Sequence, residues 1–103
     1  MLQVTFRNMS STSAVCDLAQ QKLAKIENHV RGKPFCSLVL EHRPNHARKD
    51  QQYCAHIDLR SPGAYELYAT IEAEHPLTAV REVFATLERQ LASRHGSIVR
   101  ATG

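Results

Sequence analysis

The chain has 103 residues, of which 43% are hydrophobic and 22% are charged, a composition typical of one compact domain. This length excludes a multidomain enzyme and leaves little room for a deep catalytic cavity, so surface recognition is the expected mode of action. The net charge of +3 is concentrated in residues 1–50, which carry +4 against −1 for the remainder. That asymmetry indicates a basic side suited to a polyanion, although ordinary scatter of surface charge also produces it.

The first two predicted elements are a strand and a helix. Hydrophobic residues alternate with polar ones over residues 2–7, which is the period of a half-buried strand. Residues 13–30 are predicted to form a helix, with Thr12 or a neighbouring serine as its N-cap and with Gly32 and Pro34 ending it. Its apolar stripe consists of Val15, Ala19, Leu23, Ile26 and Val30.

Three strands and a second helix are predicted to follow. Residues 35–43 form the second strand, and a polar, basic loop over residues 44–50 follows it. Two alternating segments around Ser61-Pro62-Gly63 predict a hairpin with a short connection. Pro76 is placed at the start of the second helix and Gly96 at its end, leaving residues 97–103 as a tail without a pattern.

This order predicts an α+β fold: a two-layer β-α-β-β-β-α domain over residues 1–96, with both helices on one face of a four-stranded sheet. The other, helix-free face is expected to be solvated and acidic, so a nucleic acid would meet the helices instead. That face is expected to carry Thr5, Glu66, Tyr68, Thr70 and Glu72.

The cysteines indicate a reducing compartment. Their number is odd and their spacing includes no C-x-x-C motif, so free thiols and a cytosolic location are expected. No stretch approaches 18 apolar residues, and the first residues lack the pattern of a signal peptide. Neither export nor a membrane span is therefore expected.

The two helices contain signatures similar to those of the ribosome hibernation-promoting factor family, which includes protein Y and the sigma-54 modulation proteins. The first helix has AV at 14–15 and KLAKIE at 22–27, and the second has AV at 79–80 and LERQL at 87–91. The spacing within each helix matches the family without gaps, and the predicted element order matches the family's fold. The resemblance covers roughly residues 2 to 95.

The resemblance implies a function without enzymatic activity. Members of the family bind the small ribosomal subunit and its rRNA between head and body, over the sites of messenger and transfer RNA, and block translation in stress or stationary phase. The chain resembles a short form without the extra C-terminal domain that pairs ribosomes. It is expected to act in the cytoplasm as a monomer off the ribosome, with no cofactor, small-molecule substrate or membrane partner.

The first predicted rRNA-binding residues lie on helix one. Lys22 and Lys25, together with His29, fall on one flank beside the apolar stripe, while Glu27 falls on the other. Cations on one flank can contact successive phosphates, and the two lysines match the signature lysines of the family. The alternative is that they only keep an amphipathic helix soluble.

Helix two supplies Arg89 and Arg94 as further rRNA-binding candidates. Arg89 faces away from the stripe and could hold a phosphate through two hydrogen bonds, or else pair with a nearby acid. Arg94 lies at the basic end of the helix, where it could instead complement the helix dipole. Arg81 and Thr86 depart from the residues that are frequent in the family.

The loop after the second strand supplies the last candidates, Arg48 and Lys49. Cationic loops often contact the RNA backbone, although a charged loop can also be merely solvated.

The sequence also contains features of two other functional classes. His42 and His46, with Cys36 and Cys54 on the flanking strands, suggest zinc, but Pro44 prevents a helix that would bring the histidines onto one face; no metal site is therefore predicted. The alternative to a ribosome-binding factor is a protein-interaction module that keeps the fold but does not bind the ribosome.

Overall fold

The computed structural model describes residues 1–30, 32–61, 63 and 65–102, with residues 94–102 as helical backbone only. It confirms the predicted order of elements. These are β1 (Leu2–Arg7), α1 (Ser13–Glu27), β2 (Phe35–His42), β3 (Tyr53–Ser61), β4 (Tyr65–Ala73) and α2 (Pro76–Thr102), with a 3-10 turn at Lys49–Gln51.

The four strands form one mixed sheet in the order β1-β2-β3-β4. β1 is parallel to β2, while β2 with β3 and β3 with β4 are antiparallel. A parallel pair needs a long crossover, and α1 provides it. Because α1 leaves the end of β1 and leads to the start of β2, it runs back along the sheet.

One hydrophobic core lies between the sheet and the two helices, so the prediction that both helices cover one face is confirmed. Alternate residues of the strands turn toward the helices, as Leu38 and Leu40 do in β2 and Ile57 and Leu59 do in β3, each with 0% exposure. The helices contact each other as well as the sheet. The helical side of the core consists of Val15, Ala19, Leu23, Ile26, Ala79, Val80, Val83, Phe84, Leu87 and Leu91.

The start of α1 confirms its predicted cap, whereas its end corrects the prediction. The Oγ1 of Thr12 accepts a hydrogen bond from the backbone N–H of Val15 at 3.4 Å. The helix ends at Glu27 rather than at residue 30, and the N–H of Asn28 donates to the carbonyl of Ala24 at its C-terminus. Val30 is therefore outside the helix although it extends the apolar spacing, because a half-buried residue in the following turn can pack against the same core.

The end of α2 also differs from the prediction. The helix begins at Pro76 as expected, but it continues past Gly96 to Thr102. Glycine inside a helix costs only about 1 kcal/mol relative to alanine, so a single glycine need not end the helix. Residues 97–102, predicted to be a tail without a pattern, are helical.

Candidate nucleic-acid interface

Lys22 and Lys25 on α1, together with His29 in the turn that follows the helix and not on the helix as predicted, form what we call the α1 flank. Lys25 and His29 are exposed and Lys22 is half-buried, beside the buried stripe that includes Leu23 and Ile26. Within residues 1–30, 32–61, 63 and 65–93, no carboxylate forms an ion pair with either lysine. Both ammonium groups are thus free of acidic partners in the described structure and available to an external anion.

The α1 flank borders a groove between the helices, the interhelical groove, with a volume of about 290 Å³. Lys25 and His29 lie on the α1 side, and Glu88 and Ala92 lie on the α2 side. Apolar residues complete the lining, namely Ile26, Val30 and Leu91. The structure therefore joins two of the predicted rRNA-binding residues to a concave surface that the sequence did not predict.

Arg89 is exposed on α2, as predicted, but its guanidinium is held by a neighbour. Its Nη2 donates to Thr86 Oγ1 at 3.1 Å, and that hydroxyl donates to the carbonyl of Glu82 at 2.9 Å. The alternative of an ion pair with a nearby acid is not seen among the described side chains. The side chain of Arg94 lies outside the described residues.

Arg48, in the loop between β2 and β3, is paired with an acid. Its Nε and Nη2 donate to the two carboxylate oxygens of Asp50, each at 3.2 Å, which raises the pKa of Arg48 and lowers the pKa of Asp50. Asn45 Oδ1 accepts from the N–H groups of Ala47 and Arg48, each at 3.0 Å, and so shapes the loop. Lys49 next to it is exposed. The local charge of the loop is thus partly compensated.

The structure does not bring the loop to the α1 flank. Because α1 runs back along the sheet, Lys25 and His29 lie near the start of β2, whereas Arg48 and Lys49 follow its end. β2 has eight residues, which at about 3.3 Å per residue corresponds to roughly 25 Å. One phosphate group cannot contact both sets of residues.

On the helix-free face of the sheet, here called the open face, Arg60 is neutralised by acids, whereas Arg7 forms no ion pair among the described side chains. Arg60 forms ion pairs with Asp58 at 3.0 Å and with Glu66 at 3.1 Å. Arg43, just after β2, pairs with Glu41 at 2.7 Å. Thr70, Glu72 and the other predicted residues of β4 on this face are exposed, which agrees with an acidic, solvated surface. The sheet register brings together the residues of the Arg60–Glu66 pair, whereas the other two pairs join residues that are two apart in sequence.

The residues that suggested zinc in the sequence are not gathered in one place. Cys36 is fully buried on the helix-covered face, and burial raises the pKa of its thiol to about 12. Cys54 instead lines a pocket on the open face with His56 and Thr70. The ring of His42 stacks on Tyr53, with ring centroids 4.8 Å apart. In the described part of the chain, no group of three or more His, Cys, Asp or Glu is placed to hold a metal ion.

The structure defines a small two-layer α+β domain with free lysines beside its helices and an acidic open face. Across the described helices, none is long and apolar enough to cross a membrane. The chain belongs to the Sigma 54 modulation protein / S30EA ribosomal protein family, whose model matches residues 2–98. This confirms the family inferred from the helical signatures, a family of ribosome-associated factors and not a known family of enzymes.

Two solved structures share the fold. The N-terminal domain of Protein Y from Thermus thermophilus superposes with a TM-score of 0.70 at 23% identity, covering 85% of this chain and 90% of that one. A ribosomal subunit interface protein from Coxiella burnetii gives a TM-score of 0.69 at 17% identity, covering 92% and 97%. The search of curated proteins returned no match.

Proposed function

We propose that this protein is a hibernation factor that binds small-subunit rRNA in the channel for messenger and transfer RNA and so inhibits translation during stress or stationary phase. The observation that carries the proposal is the family match, which spans nearly the whole domain. The solved structure of a ribosomal subunit interface protein with this fold is consistent with it. The factor acts in the cytoplasm as a monomer off the ribosome, without a cofactor or an enzymatic reaction.

The distribution of charge favours the helices as the side that faces rRNA. The lysines of the α1 flank have no acidic partner among the described residues, whereas Arg43 and Arg60 near or on the open face are paired. Phosphates are attracted to the first surface and repelled by unpaired acids on the second, such as Glu72. Inhibition then needs no chemistry, because a domain seated in the channel excludes the RNA ligands that use it.

Cosedimentation with purified small ribosomal subunits tests the proposal. We expect the protein to pellet with the subunit at low salt, to be released as salt rises, and to compete with transfer RNA and messenger RNA. It should also inhibit translation in a reconstituted system. Absence from the subunit fraction at low salt would contradict ribosome binding, and binding without competition would contradict the position in the channel.

A protein-interaction module of the same fold is the second candidate. The hydroxyl of Thr86 holds Arg89 along the helix, which favours this candidate because the guanidinium is less free to reach a phosphate. A pulldown enriched in one protein and free of rRNA would support it. Recovery of rRNA with the wild-type protein would reject it.

A further inference from the structure

The interhelical groove has two features that phosphate binding alone does not use. Its floor is apolar, formed by Ile26, Val30 and Leu91, and its α2 wall contains the carboxylate of Glu88. A site that only attracted phosphate would gain nothing from an acid, since like charges repel. The groove is therefore suited to a ligand that combines an anionic group, a flat apolar body and hydrogen-bond donors.

The positions of the charges define where each part of that ligand would lie. Lys25 and Glu88 line the same groove from opposite helices, and no ion pair joins them in the described structure. Glu88 is half-buried, and its carboxylate has no hydrogen-bond donor among the described residues. N–H donors stabilise a carboxylate, while the ammonium group of Lys25 on the other wall attracts an anion.

We infer that the interhelical groove binds one unstacked guanine of single-stranded rRNA. The base packs on the apolar floor, Lys25 and His29 lie beside its phosphate, and Glu88 accepts hydrogen bonds from the N1–H and the N2 amino group. Single-stranded RNA is read in this way, through unstacked bases and their Watson–Crick edges. The inference rests on the proposed rRNA-binding function and adds a base preference to it.

Guanine fits the carboxylate better than adenine or uracil does. Its N1–H and N2–H donors lie side by side and match the two oxygens of a carboxylate. Adenine places an acceptor, N1, where guanine has a donor, and uracil offers one N–H between two carbonyl oxygens. The α2 wall has room for a base because Ala92 is small and exposed.

The test uses three labelled uridine hexamers that carry guanine, adenine or uracil at one internal position, with binding followed by fluorescence anisotropy at low salt. We expect the guanine hexamer to bind about tenfold more tightly than the other two, as for a bidentate contact to a base. Glu88→Gln should reduce this ratio of affinities to about one, because the amide replaces one hydrogen-bond acceptor by a donor. Glu82→Gln is the matched control, since it removes the same charge from an exposed position of α2 and should keep the ratio.

A second variant tests the cavity itself. Ala92→Leu fills the groove from an exposed helical position and should remove the guanine preference without unfolding the protein, which a thermal melt checks. Equal affinity of the wild-type protein for the three hexamers, no measurable binding to any of them, or an unchanged ratio in Glu88→Gln would each overturn the inference. Cosedimentation in parallel separates the two claims: ribosome binding without base preference rejects only the groove, whereas loss of both rejects the proposed function.

Discussion

Replacing Lys22 and Lys25 by alanine should weaken binding to the small subunit and make it less sensitive to salt. The two side chains lie three residues apart on one flank of α1, close enough to contact successive phosphates. Neither forms an ion pair within the described residues, so their removal breaks no internal salt bridge seen there. The double substitution therefore reports mainly on the contact with RNA.

The size of the effect follows from counterion release. Each lost phosphate contact reduces the slope of log K against log salt concentration by roughly 0.7 to 0.9. Two lost contacts reduce it by about 1.6, which corresponds to about 40-fold weaker binding at ~0.1 M salt if the two proteins bind equally at ~1 M. The difference should shrink steadily as the salt concentration rises.

Quantitative cosedimentation over a salt series measures this slope, and a second double variant controls for net charge. Arg43→Ala with Arg60→Ala removes the same two charges, but from cations that are already paired with acids. We expect the control to keep nearly the wild-type slope. Equal losses in both double variants would refute the argument, because they would show that net charge matters and the position of the lysines does not. Thermal melts of both variants establish that each is folded.

The fold could be predicted from the sequence because burial in a two-layer domain has a simple period. In β3, buried Ile57 and Leu59 alternate with polar Asp58 and Arg60, and this alternation requires one face toward a core. In the helices, apolar residues recur with a period near 3.6 and likewise place one face of each helix toward the core. With one stripe per helix and one apolar face per strand, few arrangements other than two layers remain.

The helix ends were harder to predict because hydrophobic spacing does not report where the backbone stops being helical. Val30 keeps the spacing of α1 although the helix has ended at Glu27, and Gly96 is accommodated within α2. Capping and glycine effects amount to about 1 kcal/mol each, and tertiary packing can override them.

The candidate site was predicted only as residues of suitable charge, since distances between elements are not readable from local patterns. Spacing along α1 placed Lys25 and His29 on one flank, but the position of Glu88 across the groove depends on how α2 packs against α1. The separation of Arg48 from that flank likewise follows from the parallel pairing of β1 with β2. Both distances depend on how the strands pair and the helices pack. The sequence patterns predicted only the order of these elements along the chain.

Further outcomes follow from single residues or neighbouring pairs. The double substitution Arg48→Ala with Lys49→Ala should weaken ribosome binding less than loss of the α1 lysines does, because the charge of Arg48 is already compensated by Asp50. Cosedimentation measures the difference. An equal or larger loss of binding would instead place the loop at the centre of the interface. Thr12→Ala should lower the free energy of unfolding by about 1 kcal/mol, measured by urea denaturation, since it removes the N-cap of α1. The thiol of Cys36 should resist alkylation of the native protein at pH 8, because burial raises its pKa from 9.0 to about 12 and so disfavours the reactive thiolate. The raised pKa also means that unfolding releases a proton between these two values, so the contribution of Cys36 to stability is complete below pH 9 and is lost as pH rises toward 12. Peptide mapping by mass spectrometry checks the alkylation, and fast labelling of Cys36 at pH 8 under native conditions would contradict its burial beneath the helices.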